Sequence, residues 1–163
     1  MIFGMSIALF TTIHVIISLA AILAGFFVVF GMLGNRHSGL SAALYLVLIA
    51  LTSLTGYPIP PFGLGPPQVV GTISLVLIVA AIAALYVFHL GGVWRGIYVT
   101  TAVAALYLDC FVGVAQAFGK VPALHALAPT QSSPSFAVAQ IAVLIIFIGL
   151  GYLGLKRFHP GAV

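Results

Sequence analysis

Five long apolar stretches dominate the sequence, and none of them contains lysine, arginine or glutamate. They cover residues 6–33, 40–57, 69–91, 96–118 and 136–155. A bilayer core about 30 Å thick requires roughly 20 apolar residues of helix. The pattern therefore predicts an all-α integral membrane protein, a bundle of five transmembrane helices that forms a single transmembrane domain over residues 1–163.

The second stretch, residues 40–57, is the shortest of the five. It ends before Pro58, Pro60 and Pro61, where proline cannot continue a helix. Apolar runs near the lower length limit also form re-entrant segments. A full span is the favoured interpretation here, and a re-entrant segment is the alternative.

The composition excludes a water-facing surface of ordinary type. Hydrophobic residues make up 63% of the chain and charged residues only 4%, against roughly 25% charged in soluble domains. A soluble fold would expose large apolar patches that drive association. The net charge of +4 reflects five basic residues against one acid. Because the basic residues are not clustered, we expect no nucleic-acid partner.

The basic residues are distributed unevenly between the two sides of a five-span bundle. One side holds Arg36, Arg95, Lys156 and Arg157. The other side holds Lys120 and the proline-rich loops 58–68 and 119–135. Since basic loops are retained in the cytoplasm, we expect the N-terminus and these loops outside and the C-terminus inside, in a bacterial inner membrane. The first stretch lacks the features of a cleaved signal peptide and is expected to stay in the mature protein.

Two ionisable residues fall inside the apolar stretches at similar predicted depth. Asp109, the only acid, lies in the fourth stretch, and His14 lies in the first. Counted from Phe118 and Ser6, they lie about 13 and 12 Å from the same face at the standard helical rise. Ionisable groups in hydrocarbon are costly and commonly functional. We therefore predict a proton or ion site formed by Asp109 and His14.

A supporting polar cluster surrounds these two residues in the predicted outer half of the bundle. It comprises Thr11, Ser18, Ser53, Gln116 and Gln140. Thr11 and Ser18 share a helix face with His14, and Gln116 shares one with Asp109, together with small residues that permit close helix contact. The functional interpretation is a polar cavity that opens outward. The structural alternative is a protonated Asp109 that only hydrogen-bonds to His14, a threonine or a backbone carbonyl.

The two predicted outer loops are unusually apolar for exposed chain. His125 lies in the loop 119–135, and Phe62 lies in the loop 58–68. Loops normally carry polar residues because they run in water, and long loops without secondary structure are often functional. We expect His125 and Phe62 to contribute to a lid or a partner contact.

Little in the sequence favours an enzyme. One acid cannot supply paired carboxylates, and zinc and phosphate-loop motifs are absent. A haem b or quinone subunit remains as an alternative. His14 and His89 are the histidines placed inside predicted helices, but they lie in opposite leaflets, so pairing would need loop residues, His14 with His125 outside and His89 with His37 inside. An intramembrane hydrolase using Ser18 or Ser53 with His14 and Asp109 is weaker, because no nucleophile-elbow glycines are present. No metal site and no cofactor are otherwise expected.

The favoured function is a small transporter or channel-like conduit with a protonatable site in its outer half. The close alternative is a non-catalytic accessory subunit of a larger membrane complex, which requires only apolar surfaces and small-residue faces. In both cases the expected partners are membrane lipid and either further copies of the chain or other membrane subunits.

Overall fold

The computed structural model describes residues 1–60, 63 and 65–160 of the chain. These residues are predominantly helical. The helices are α1 (Ile7–Leu33), α2 (Gly39–Gly56), α3 (Pro66–Ile82), α4 (Val93–Lys120), α5 (Pro122–Leu127) and α6 (Pro134–Arg157), and α3 continues into a π-helical turn at Ala83–Val87.

Five of these helices are long and apolar enough to cross a membrane: α1, α2, α3 with its π-helical turn, α4 and α6. This confirms the predicted all-helical chain with five membrane-length helices. α2 has 18 residues and ends at Gly56, directly before the proline-rich segment. The short helix α5 lies within the loop 119–135.

The third membrane-length helix ends four residues before the apolar pattern does. The apolar pattern extends to Gly91, whereas the helix ends at Val87. The chain then turns through His89 and Leu90, whose φ angles of 47° and 58° lie in the left-handed region and cannot continue a right-handed helix. Apolar composition does not reveal this turn because Leu90 is itself buried.

α4 lies at the centre of the bundle and contacts each of the other four membrane-length helices. α1 packs against α2, α4 and α6, and α2 packs against α1 and α3 but meets α4 over a small area only. That small area contains Tyr45, whose hydroxyl donates a 2.8 Å hydrogen bond to the Ala102 carbonyl oxygen.

Gly25 of α1 packs directly against this bond. A methyl group on Gly25 would lie 2.6 Å from Leu106 Cδ1 and 2.7 Å from Tyr45 Cε2. At such distances Leu106 and Tyr45 would have to shift, so the glycine lets α1, α2 and α4 pack closely here. We call the group Gly25, Tyr45, Ala102 and Leu106 the Gly25 layer.

α6 is held against α4 by a second close approach. A methyl group on Gly154 would lie 2.9 Å from Val99 Cγ1, and one on Gly151 would lie 3.7 Å from Val103 Cγ1. Small residues at this spacing let two helix backbones approach closely in lipid.

The end of the bundle that carries Arg36, Arg95, Lys156 and Arg157, here called the basic end, is fixed by hydrogen bonds between distant segments. The Arg95 guanidinium Nη1 donates to the carbonyl oxygens of Leu155 and Phe158 at 2.9 and 2.6 Å, which caps α6. The His159 amide donates to Asn35 Oδ1 at 2.7 Å. The last membrane-length helix is therefore tied to the first interhelical loop. The opposite end, with the proline-rich segment and α5, is called the loop end.

Candidate functional site

Asp109 lies on α4, about two turns beyond Ala102 of the Gly25 layer. The residue is half-buried. Its Oδ2 atom is fully buried and has no hydrogen-bond partner among the described residues. A buried polar atom without a partner is costly and rare, and it commonly marks a proton, ion or water site. Asp109 is thus an acid on the central membrane-length helix with an unused acceptor.

His14 is held by α2 and not by α4. Its Nδ1 atom lies 2.8 Å from Thr55 Oγ1. The Thr55 hydroxyl donates its only hydrogen to the Leu51 carbonyl oxygen at 2.7 Å, so we assign Nδ1–H of His14 as the donor to Thr55. In the neutral imidazole this leaves Nε2 as an acceptor.

The structure does not bring His14 and Asp109 together. On α4, Leu106 packs against Gly25, and a methyl group on Gly113 would lie 3.8 Å from Ile22 Cδ1. Asp109 falls between Leu106 and Gly113, so it lies level with residues 22–25 of α1. At the standard rise these residues lie at least about 12 Å along the helix axis from His14. The close contact at Gly25 sets this register.

Four of the five predicted supporting residues do not join a common cluster in the described structure. Ser18 and Ser53 each donate to the backbone carbonyl four residues earlier in their own helix, at 2.9 and 3.0 Å, as hydroxyls in helices often do. Thr11 is half-buried, and Gln116 is exposed. Both serine hydroxyls are therefore bonded within their own helices, and Gln116 does not reach the interior.

Gln140 is the supporting residue that connects two helices. Its Nε2 donates to the Phe111 carbonyl oxygen of α4 at 3.0 Å. Its Oε1 atom is buried without a partner among the residues that the structure describes, as is Thr52 Oγ1 on α2. Unused buried acceptors therefore occur on α2, α4 and α6, including Asp109 on the central helix.

A small recess lies at the predicted lid at the loop end. His125 is exposed on α5 and lines a recess of about 80 Å³ together with Phe118 and Phe136. The two phenylalanine rings meet edge to face, with 5.7 Å between their centroids. The other predicted lid residue, Phe62, lies outside the described residues.

The two histidines considered as haem ligands lie at opposite ends of the bundle. His14 is in the loop-end half of α1, whereas His89 is exposed in the turn at the basic end. One iron cannot take both as axial ligands. The prediction that His89 lies inside a helix is wrong, because the chain leaves the π-helical turn at Val87.

A cavity of about 890 Å³, here called the basic-end cavity, lies between the end of α1 and the start of α2. Its lining includes Val28, Ala42 and Tyr98. Each of these residues lies about one turn from a member of the Gly25 layer on the same helix. The cavity therefore comes within about one turn of that layer. It lies in the half of the bundle opposite to the one in which the sequence pattern predicts a polar cavity.

Tyr98 is a candidate site residue that the sequence does not reveal. The residue is fully buried, with 0% exposure, and its hydroxyl has no hydrogen-bond partner within the described part of the chain. A tyrosine near the end of an apolar stretch is typical of an interfacial anchor, so the sequence offers no signal that this hydroxyl is buried and unused.

No family model matches the chain, and neither the curated proteins nor the solved structures include a significant match. The chain's own geometry is therefore the basis for any functional proposal.

Proposed function

We propose that the protein is a small transporter or channel-like conduit in which Asp109 takes up and releases a proton or a cation. The observation that carries this proposal is the buried, unpartnered Oδ2 atom on the helix that contacts all the other membrane-length helices. An ionised carboxylate here would be poorly solvated. A proton or a cation at Oδ2 would satisfy it, and intramembrane acids commonly serve ion and proton pathways.

The proposed route would be open on one side and closed in the middle. The basic-end cavity approaches the Gly25 layer from one side, and Asp109 lies about two turns beyond Ala102 on the other side. The Gly25 layer would act as the barrier, since its side chains are in van der Waals contact. Opening it would require α2 to move and the Tyr45–Ala102 hydrogen bond to break.

His14 would serve as a separate group nearer the loop end. Its Nε2 atom can accept a proton while Nδ1–H remains bonded to Thr55. Because at least about 12 Å of helix separates it from the level of Asp109, a proton passing between the two would need intervening water or polar groups.

Ion flux through the purified protein in liposomes tests this function. Proton flux would be followed with an entrapped pH-sensitive dye, and Na⁺ and K⁺ flux with cation-sensitive dyes. Asp109→Asn keeps the side-chain shape and is expected to lower the flux at least tenfold. Cys110→Ser is the matched control at the same depth and should leave the flux unchanged. Flux that survives in Asp109→Asn, or wild-type liposomes that pass neither protons nor cations, would overturn the proposal.

The alternative, an accessory subunit, rests on the outer surface of α6. Its apolar side chains Ile145, Ile148 and Tyr152 are 63%, 62% and 61% exposed. Lipid can cover such a surface, and so can another subunit or a second copy. Co-purification of one partner in fixed ratio from mild detergent, together with an absence of flux, would favour this alternative. A monomer that conducts would exclude it.

We place the protein in the bacterial inner membrane with the basic end in the cytoplasm, because four of the five basic residues lie at that end. On this orientation the basic-end cavity opens toward the cytoplasmic leaflet.

A further inference from the structure

The basic-end cavity has one polar wall and one apolar wall. Arg36, His37, Ser38 and Ser41 contribute polar groups. The opposite part is lined by Phe27 and Phe30 of α1, which are 70% and 59% exposed on the outside of the bundle. The cavity therefore continues from the charged end of the bundle onto a surface that faces lipid.

Tyr98 belongs to the cavity wall, and its hydroxyl is an unused hydrogen-bond donor that lies beneath the wall's surface, so a ligand reaches it only when the surrounding side chains shift. Tyr98 lines the cavity and has 0% exposure, and its hydroxyl has no partner in the described structure. Buried hydroxyls of native proteins almost always have a partner. A ligand with an acceptor oxygen would provide one.

The electrostatics of the polar wall favour an anion. Ser38 caps the start of α2, accepting from the Ser41 amide at 3.4 Å, so the positive end of the α2 dipole lies at the cavity. Arg36 adds a full positive charge beside it. The only acidic side chain of the protein, Asp109, lies beyond the Gly25 layer, so no carboxylate of this chain competes with a bound anion for Arg36.

We propose that the basic-end cavity binds the headgroup of an anionic phospholipid. Arg36 and the start of α2 hold the phosphate, and an acyl chain lies along Phe27 and Phe30. The wall side chains shift on binding so that the Tyr98 hydroxyl donates to a headgroup oxygen. The volume of about 890 Å³ is within the range of roughly 300–1,000 Å³ for ligand pockets. A soluble anion would leave the phenylalanine wall uncovered, which favours a lipid. Binding here needs no proton exchange at Asp109, so this site and the conduit can fail separately.

Native mass spectrometry of the protein in detergent measures the affinity for phosphatidylglycerol and for zwitterionic phosphatidylcholine. We expect at least tenfold tighter binding of phosphatidylglycerol. Arg36→Gln should weaken that binding about tenfold or more, because a charge-assisted contact is lost. Tyr98→Phe should weaken it roughly two- to tenfold, as expected for one neutral hydrogen bond. Lys156→Gln is the control, an exposed basic residue of α6 that does not line the cavity.

Two further measurements separate binding from folding and lipid from a free anion. In lipid-free detergent, Tyr98→Phe should melt no lower than the wild type, because it removes a buried hydroxyl that has no partner. Soluble glycerol phosphate should raise the melting temperature far less than phosphatidylglycerol does. Equal affinities for the two lipids, equal losses in Arg36→Gln and Lys156→Gln, or full stabilisation by glycerol phosphate would each overturn the lipid assignment.

Discussion

The Tyr45 hydroxyl donates to the Ala102 carbonyl oxygen at 2.8 Å, and the side chain that carries it lies directly against Gly25. The Tyr45–Ala102 hydrogen bond and the absence of a side chain at Gly25 therefore allow α1, α2 and α4 to pack closely at this level. The same three residues separate the basic-end cavity from the segment of α4 that carries Asp109.

Gly25→Ala is expected to destabilise the bundle. Its methyl group would overlap Leu106 and Tyr45, and overpacking of a core costs about 1–3 kcal/mol. Thermal unfolding in detergent measures the change. Gly149→Ala is the matched control on α6, where a methyl group meets nothing within 4 Å; it should be neutral or stabilising by up to about 1 kcal/mol. Equal melting temperatures for the two variants would contradict the close contact at Gly25.

Tyr45→Phe keeps the ring and removes the hydrogen bond to Ala102. We expect a loss of about 0.5–1.5 kcal/mol in the free energy of unfolding. If the Gly25 layer is the barrier of the conduit, the variant should also pass ions faster than the wild type in liposomes. Lower stability with unchanged flux would keep the structural role of Tyr45 and reject its role as a barrier.

Asp109→Asn should change stability little, in contrast to its expected effect on flux. Since Oδ2 has no partner among the described residues, the substitution breaks no observed hydrogen bond at that atom, and we expect a change within about 0.5 kcal/mol. Gln140→Leu offers the comparison, because it removes the hydrogen bond to the Phe111 carbonyl. A large destabilisation by Asp109→Asn alone would assign Asp109 a structural role.

Binding of phosphatidylglycerol should strengthen as the pH falls. Burial lowers the pKa of His37 below its usual value in the lipid-free protein, so the imidazole is neutral at pH 7 and gains its charge only under more acidic conditions. The rings of Tyr98 and Phe158 face it, and the neighbouring charge is that of Arg36. An added positive charge attracts the phosphate, so affinity should be higher at pH 5 than at pH 8.

His37→Gln is the test of this pH dependence. The substitution should reduce the ratio of the phosphatidylglycerol affinity at pH 5 to that at pH 8, while leaving the affinity at pH 8 nearly unchanged. In the lipid-free wild type the sign is opposite: because the folded-state pKa is the lower one, the unfolded chain binds the proton first, and stability falls as the pH drops through the usual histidine range. Identical pH profiles in the wild type and His37→Gln would exclude His37 as the origin.

The proposed orientation predicts opposite labelling at the two ends. In a Cys110→Ser background, Ser132→Cys at the loop end should react with a membrane-impermeant maleimide in intact cells. His159→Cys at the basic end should react only after the membrane is opened. The reverse pattern would invert the protein in the membrane and move the basic-end cavity to the external leaflet.

The five membrane-length helices follow from the sequence because apolar length is a direct physical requirement of the bilayer. The predicted pairing of His14 with Asp109 had a weaker basis. The predicted depths of His14 and Asp109 depend on assumed helix ends, whereas α4 continues to Lys120. The close approach at Gly25 determines the register between α1 and α4. Helix register in lipid depends on which small residues actually meet, and a single sequence does not reveal this.

The candidate site residues likewise divide into those that the sequence reveals and those that it does not. Asp109 could be recognised because an acid in an apolar stretch is unusual in itself. Tyr98 could not, since its interest lies in a hydroxyl that is buried and unbonded, which is a property of the packed bundle. The polar wall of the basic-end cavity likewise could not be predicted from the sequence. Arg36 and His37 read as ordinary loop residues, and they contribute to the cavity because Asn35, with φ 55°, turns the chain back over α1.

The bond between His159 and Asn35 and the burial of Phe158 have a consequence for the order of assembly in the membrane. Phe158 follows the last membrane-length helix, yet it forms part of the wall of a cavity that otherwise belongs to α1, α2 and α4. If the helices insert in order from the N-terminus, Phe158 is the last part of this wall to reach its place. A lipid seated early beside Arg36 would remain free to leave until α6 docks, and afterwards it would be retained as a component of the finished bundle.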